Sequence, residues 1–195
     1  MDLQRFAIKV YLEDPSKLDP KALIPVFHRW IQQRAIPDHL LIDVADYSHV
    51  PHGPGVMLMT REGHFSLDNS DQRLGLMYTR KQPTEGSFGE RFQAVLRATL
   101  QAHQLLAQEA DLSGGLVFKN DEFVLVANDR LQAPNTTESF ETLRGELGRF
   151  LPGLLGGEPA IVHVKSQPRE RLALSITVPQ ALDIPGLLQR LAVAS

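Results

Sequence analysis

Short apolar runs separated by turn signals are the feature that most constrains how this 195-residue chain can fold. Residues 56–60, 64–67 and 74–79 are each long enough for one strand. The links between them, Arg-Glu-Gly and Asp-Asn-Ser-Asp, are typical of tight turns. The first and third runs are apolar on both sides of the strand, so we predict that they lie centrally in a sheet.

The start of the chain predicts a strand–helix–strand unit. Residues 6–12 carry an apolar side chain at every second position, which is typical of a strand with one solvated face. A helix is expected from Pro25, because proline suits the first helical position, and Pro37 closes the segment. The apolar residues 40–44 predict the second strand. Such a unit with short links tends to cross over right-handed, so we expect one parallel pair of strands here.

The second half of the chain predicts one long helix followed by two similar units. Ser87 opens the helix with Glu90 as its capping-box partner, and the apolar stripe continues to Gln108. His103 lies on this stripe, which favours a hydrogen-bonded core residue over a ligand. Each following unit consists of two strands and a helix. The first spans residues 116–118, 123–127 and 135–150, and the second spans residues 161–164, 172–178 and 183–192.

These elements together predict an α+β fold with a mostly antiparallel sheet and about four helices. The order is a βαβ start, short strands, and then two ββα units in the C-terminal half. The polar residues 82–86 contain proline and glycine and are the best boundary between a subdomain of residues 1–85 and one of residues 86–195. A single continuous domain is the alternative.

Composition narrows the class of protein. Apolar residues make up 43% of the chain and charged residues 22%, which is ordinary for a folded soluble protein. A net charge of −3 without clustered lysine and arginine argues against a nucleic-acid surface. The chain has no cysteine, which excludes disulfides and thiolate metal sites. No signal-peptide layout and no bilayer-length apolar stretch is found, so we expect no membrane partner and a cytoplasmic location.

The segment 43–55 holds the densest group of chemically active residues, with two acids, a tyrosine, two histidines, two prolines and two glycines. If the first two strands are parallel neighbours, His28 in the helix lies at the same sheet edge as this segment. His28, His49 and His52 are then candidate ligands of Zn²⁺, Mn²⁺ or Fe²⁺. A bound metal would lower the pKa of a water and make hydrolysis or hydration feasible at neutral pH.

Two side chains of the same segment are candidate catalytic residues in this hypothesis. Asp46 would complete the metal site, and Tyr47 would donate a proton or orient a substrate. The plainer interpretation is that the acids bind turn amides, that proline and glycine shape a tight connection, and that the histidines are solvated.

A metal-free pocket for a small anionic ligand is the third interpretation. The sequence Gly-Pro-Gly at 53–55 leaves amides unshielded, and such concavities bind carboxylate or phosphate. An arginine just before a predicted helix offers a second anion site. The candidate ligand-binding residues are Asp43, Gly53, Gly55, Arg61, Arg80 and Arg130.

Function is only broadly indicated by these patterns. The leading hypothesis is a non-enzymatic module that binds a small ligand or another protein. A homodimer is expected because two-fold oligomers are common and sheet edges tend to pair. The alternative is a metal-dependent hydrolase or hydratase that uses the segment 43–55. A purely structural assembly module is the third hypothesis.

Overall fold

A computed structural model describes residues 2–112, 116–164, 167 and 169–193. Its main feature is an eight-stranded sheet in which all the pairings are antiparallel. The α+β class is therefore confirmed. The strands are β1 (Phe6–Leu12), β2 (Leu41–Tyr47), β3 (Gly55–Thr60), β4 (Gly63–Asp68), β5 (Gly75–Arg80), β6 (Phe118–Ala127), β7 (Ala160–His163) and β8 (Ala173–Thr177).

The strand order is β2-β3-β4-β5-β1-β6-β8-β7, which contradicts the expected parallel pair. β1 lies between β5 and β6, whereas β2 lies at one edge and pairs with β3. The physical reason is that three successive hairpins place β2, β3, β4 and β5 side by side. The last strand of this series pairs with β1, so three strands lie between β2 and β1.

The described residues contain five α-helices rather than the four expected. The long helix begins at the predicted capping box, in which Ser87 and Glu90 bond each other's backbone amides. The additional helix is a short turn that follows the third helix directly. The helices are α1 (Leu23–Gln33), α2 (Phe88–Gln108), α3 (Thr137–Gly148), α4 (Leu151–Leu155) and α5 (Ile184–Val193).

The second half of the chain forms only one of the two predicted ββα units. Residues 116–127 were expected to form two strands with a turn at Asn120, but β6 is one strand of 10 residues. Its pairing with β1 shifts register between Val10 and Leu12, so the residues expected to turn form an irregularity within one strand. The second unit is present, because β7 pairs antiparallel with β8 and α5 follows.

The main core lies between the helices and the sheet face that carries Phe6 and Ile8. The ring of Phe6 packs 6.5 Å from that of Phe92 on α2, and Phe140 of α3 stacks 4.9 Å from His163 of β7. The single tryptophan, Trp30, is 1% exposed in the same core. Among the described residues, no helix has both the length and the apolar character needed to cross a membrane.

The opposite face of the sheet, which carries Ala7, Lys9 and Tyr11 on β1, is called here the open face. It was predicted to be solvated, yet these three side chains are 0%, 2% and 3% exposed. β1 is central rather than peripheral, so neighbouring strands crowd its side chains. The open face therefore has a buried floor at β1.

Candidate functional site: a groove on the open face

A groove of about 720 Å³ lies on the open face. Its floor is formed by side chains of β1, β5, β6 and β8. One wall is the turn between β4 and β5, and the other consists of residues just before β8 together with one residue after β6. Its volume lies within the range of about 300–1,000 Å³ that is typical of small-ligand pockets. The residues that line the groove include Lys9, Tyr11, Asp68, Asp71, Met77, Val124, Val126, Arg130, Arg169, Glu170, Arg171 and Ala173.

Lys9 stands at the centre of the floor and is held by two carboxylates. Its Nζ lies 2.9 Å from Oδ1 of Asp68 and also donates to Asp71. Asp68 is itself buried, and it additionally accepts hydrogen bonds from the amide and hydroxyl of Ser70. A buried cation of this kind requires such partners, because an unpaired charge in the interior is costly. The ion pairs therefore explain how a lysine occupies the middle of a buried strand.

Tyr11 and Arg73 extend this arrangement and tie the β4–β5 turn to the sheet. The Tyr11 hydroxyl donates to Asp71 at 2.8 Å, and burial raises the pKa of Tyr11, with the Asp71 charge acting in the same direction. Arg73 packs 3.5 Å above the Tyr11 ring and binds both carboxylate oxygens of Glu122. The turn that forms one wall of the groove is therefore fixed to β1 and β6.

The pKa of Asp71 is set by opposing effects of burial and of its partners in this network. Burial alone would raise its pKa, but the hydrogen bonds from Lys9 and Tyr11 and the Lys9 charge outweigh burial. The pKa of Asp71 is consequently lowered, so the carboxylate stays ionised at neutral pH.

The other wall carries three exposed arginines, Arg130, Arg169 and Arg171. Arg130 Nη1 donates to the carbonyl of Arg169 at 2.7 Å, and Arg171 Nη1 donates to Oδ1 of Asn128 at 2.7 Å. Within the described part of the chain, no carboxylate lies at ion-pair distance from any of the three. Most of their N–H donors are therefore available to a bound anion.

The predicted site at 43–55 has a different shape from the one expected. β2 continues to Tyr47, so Asp43, Asp46 and Tyr47 lie on an edge strand and only residues 48–54 form the turn. Hydrogen bonds from the hydroxyl and then the amide of Ser48 hold the pKa of Asp46 below its usual range, with smaller effects from Lys21 and His49. This arrangement is the Asp-capped turn of the plainer interpretation.

The three candidate metal ligands are all exposed. His49 stacks on Tyr47 with 6.4 Å between ring centroids, and His52 has a left-handed backbone with φ of 53°. His28 lies on the exposed face of α1. The sheet order removes the parallel edge that was expected to bring His28 to the turn. In the ranges that the structure describes, no three His, Asp or Glu side chains are grouped so as to hold a metal ion. The metal site remains a prediction from sequence alone.

Of the remaining candidate ligand residues, Gly53 and Gly55 line a cavity of about 430 Å³ beside the turn, and the others do not line it. Gly53 and Gly55 fit the turn for steric reasons, since an added Cβ would lie closer than 3 Å to the carbonyl of Val50 or Leu67 respectively. Arg61 is exposed at the start of the β3–β4 turn. Arg80 donates from Nε to the carbonyl of Gln82 at 3.1 Å. Only Arg130 of the predicted ligand residues lines the groove.

Sequence patterns did not point to the floor of the groove. The one available signal was a lysine at position 9, in the middle of a strand whose other members are largely apolar. No protein-family model, curated protein or solved structure matches this chain. The functional assignment therefore depends on the groove itself.

Proposed function

We propose that this protein is a non-enzymatic binding protein for a small amphipathic anion, which occupies the groove of the open face. The observation that carries the proposal is the combination of an apolar floor and three arginines that have no carboxylate partner among the residues the structure describes. Arg130, Arg169 and Arg171 would hold the anionic group. The floor would bury the apolar part of the ligand.

The floor supports an apolar ligand body because its side chains present methyl and thioether groups. Met77 and Val124 are 5% and 4% exposed, and Val126 and Ala173 are half-buried beside them. Each Å² of apolar surface removed from water contributes about 25 cal/mol, so a ligand that covers this floor gains several kcal/mol before its ordering cost. Methionine also adapts its shape to different ligands.

The charges around the groove favour an anion over a cation. Four cationic and three acidic side chains line the described part of the groove. Asp68 and Asp71 are bound to Lys9, so among the described lining residues Glu170 is the one acid opposed to three guanidinium groups. The arginine wall is therefore the net positive end of the groove. Guanidinium groups bind carboxylate, sulfonate and phosphate oxygens with matched geometry.

The test compares an anionic fluorescent probe with a neutral probe of the same aromatic body. We expect 1-anilinonaphthalene-8-sulfonate to bind the wild-type protein more tightly than N-phenyl-1-naphthylamine. Exposed ion pairs contribute up to about 1 kcal/mol, so Arg130→Gln and Arg171→Gln should each weaken the anionic probe about twofold to fivefold. Neither should change binding of the neutral probe.

The matched control is Arg144→Gln on α3, where the arginine pairs with Glu141 and is not among the residues that line the groove. It should leave both probes unchanged. Equal binding of the two probes, or equal effects of all three arginine variants, would contradict the proposal. Decanoate should displace the anionic probe, which extends the test to a flexible carboxylate.

A further inference from the structure

The two edges of the sheet differ in how their backbone is protected. β2 forms one edge and β7 forms the other. The register of β2 shifts between Leu41 and Asp43, and the Asp43 carboxylate accepts a hydrogen bond of 2.8 Å from the amide of Val44. Bulges and charged side chains of this kind keep an edge strand from pairing with another chain. β7 has an unbroken register with β8 and carries no carboxylate, ammonium or guanidinium group, so this edge lacks both devices.

The backbone of β7 offers free hydrogen-bonding groups along this edge. The amide of Val164, directly after β7, donates to the carbonyl of Ala173 at 3.0 Å. Alternate residues of an antiparallel strand turn their N–H and C=O groups to the same neighbour, so those of Ile161 and His163 point away from β8. Within the described part of the chain, no backbone group bonds to either residue from that side. The edge of β7 is therefore a template for a further strand.

The exposed side chains along this edge are apolar. Val162 is 59% exposed and Val164 is 40% exposed. A single exposed valine is ordinary, but here two of them stand beside an unprotected backbone. When a strand adds to a sheet edge, backbone hydrogen bonds provide the affinity and alternate side chains provide the specificity. The edge therefore fits an apolar strand in an extended conformation.

A second copy of β7 is such a strand, and it is complementary to the first. An antiparallel pair centred on Val162 brings this side chain against its own copy, as two-fold symmetry requires. The outward groups of Ile161 then meet those of His163 in the second copy, and the same pair recurs across the axis. Ala160 lies opposite Val164 on the same face as Val162. These positions carry no carboxylate, ammonium or guanidinium group, so the pairing opposes no such like charges.

We propose that this protein forms a two-fold homodimer in which β7 pairs antiparallel with β7 of a second copy. The pairing joins two eight-stranded sheets into one continuous sheet. It takes place at the edge and leaves the groove of the open face uncovered, so this inference does not depend on the proposed ligand. One pair of short strands is a small contact, and we therefore expect weak association with a dissociation constant on the order of 10 μM.

Sedimentation velocity of the wild-type protein between about 1 and about 200 μM, a range that brackets this constant, should show a change from one chain to two chains per particle. Val162→Lys puts two ammonium groups directly opposite each other and should raise the dissociation constant more than about tenfold. Val162 is exposed, so the substitution should leave the monomer folded. The matched control is Ile42→Lys, because Ile42 is 58% exposed on β2 at the other edge. It should leave the dimer unchanged.

Backbone hydrogen exchange of the wild-type protein locates the interface without any substitution. The amides of Ile161 and His163 should exchange more slowly at high protein concentration, whereas the amide of Val164 should be protected at every concentration by its bond to β8. A wild-type protein that stays monomeric would overturn the proposal. A dimer that survives Val162→Lys, or one that dissociates with Ile42→Lys, would overturn the choice of β7. A dimer in which exchange at Ile161 and His163 is not slowed would overturn the strand pairing.

Discussion

Acid should destabilise this protein through His103, which lies on the buried face of α2. Its side chain is 6% exposed, and its ring centroid lies 4.3 Å from that of Phe118. Nε2 lies 3.1 Å from Oδ1 of Asn120, which accepts the hydrogen bond, so the neutral ring carries its proton on Nε2. Burial lowers the pKa of His103 from 6.5 to about 4, and the bond to Asn120 opposes this only in part.

The size and sign of the effect follow from linkage between protonation and folding. The unfolded chain protonates this histidine near pH 6.5, and the folded protein does so near pH 4. Its contribution to stability is complete above pH 6.5 and is lost as the pH falls towards 4. A gap of about 2.5 pKa units corresponds to about 3 kcal/mol, because each unit is worth about 1.4 kcal/mol. Below about pH 4 both states are protonated, and no further loss comes from this residue.

Urea unfolding of His103→Gln at pH 7 and pH 4.5 isolates this contribution. Glutamine keeps an N–H donor for Asn120 but does not titrate. Between pH 7 and pH 4.5, the free energy of unfolding should therefore fall by about 2–3 kcal/mol less in the variant than in the wild type. His28→Gln is the matched control, since His28 is exposed on α1, and it should follow the wild-type profile. Parallel losses in the wild type and His103→Gln would refute the burial argument.

Three further changes test the packing of the sheet and the first turn of α2 by urea unfolding. Lys9→Met leaves two carboxylates without their cation and should lower the free energy of unfolding by about 3 kcal/mol. An unchanged free energy of unfolding would mean that the ion pairs do not stabilise the fold. Gly63→Ala should lower the free energy of unfolding by more than about 2 kcal/mol, because its Cβ would overlap the Thr79 carbonyl. Gly145→Ala is the control on α3, where an added Cβ meets open space, and it should stabilise the protein slightly. The opposite order would contradict the close approach. Ser87→Ala should lower the free energy of unfolding by about 1 kcal/mol, because the capping box is lost. An unchanged urea midpoint would contradict a stabilising role for the capping box.

Local features of the chain were predictable because they depend on neighbouring residues. The capping box at Ser87, the end of α2 at Gln108 and the short strands β3, β4 and β5 all depend on side chains a few positions apart. The prediction that His103 is a hydrogen-bonded core residue is also confirmed, because its place on the apolar stripe of the helix turns its side chain inward. The periodicity of apolar residues in helices and strands directly indicates where these elements lie and which side chains are buried.

Strand order was not predictable from the same patterns. A strand–helix–strand unit permits either a parallel pair or an insertion of other strands between the two, and the local sequence of β1 and β2 does not distinguish these. The hairpins that follow β2 determine the strand order, because each adds one strand beside the previous one until β5 pairs with β1. The solvated face expected for β1 was wrong for the same reason, since a central strand is crowded on both sides.

The contrast between the two candidate sites shows why the groove was missed. The segment 43–55 attracted attention because its titratable residues are adjacent in sequence, yet adjacency at an edge strand leaves them exposed. Lys9 is separated from Asp68 and Asp71 by 59 and 62 positions, and only the register of β1, β5 and β4 brings them together. A buried lysine is tolerated only with such partners, so its position in a central strand implies distant acids before any contact is known. In this chain, the lysine inside the apolar strand β1 therefore indicates a buried ion-pair cluster, whereas the charged residues of the segment 43–55 lie exposed.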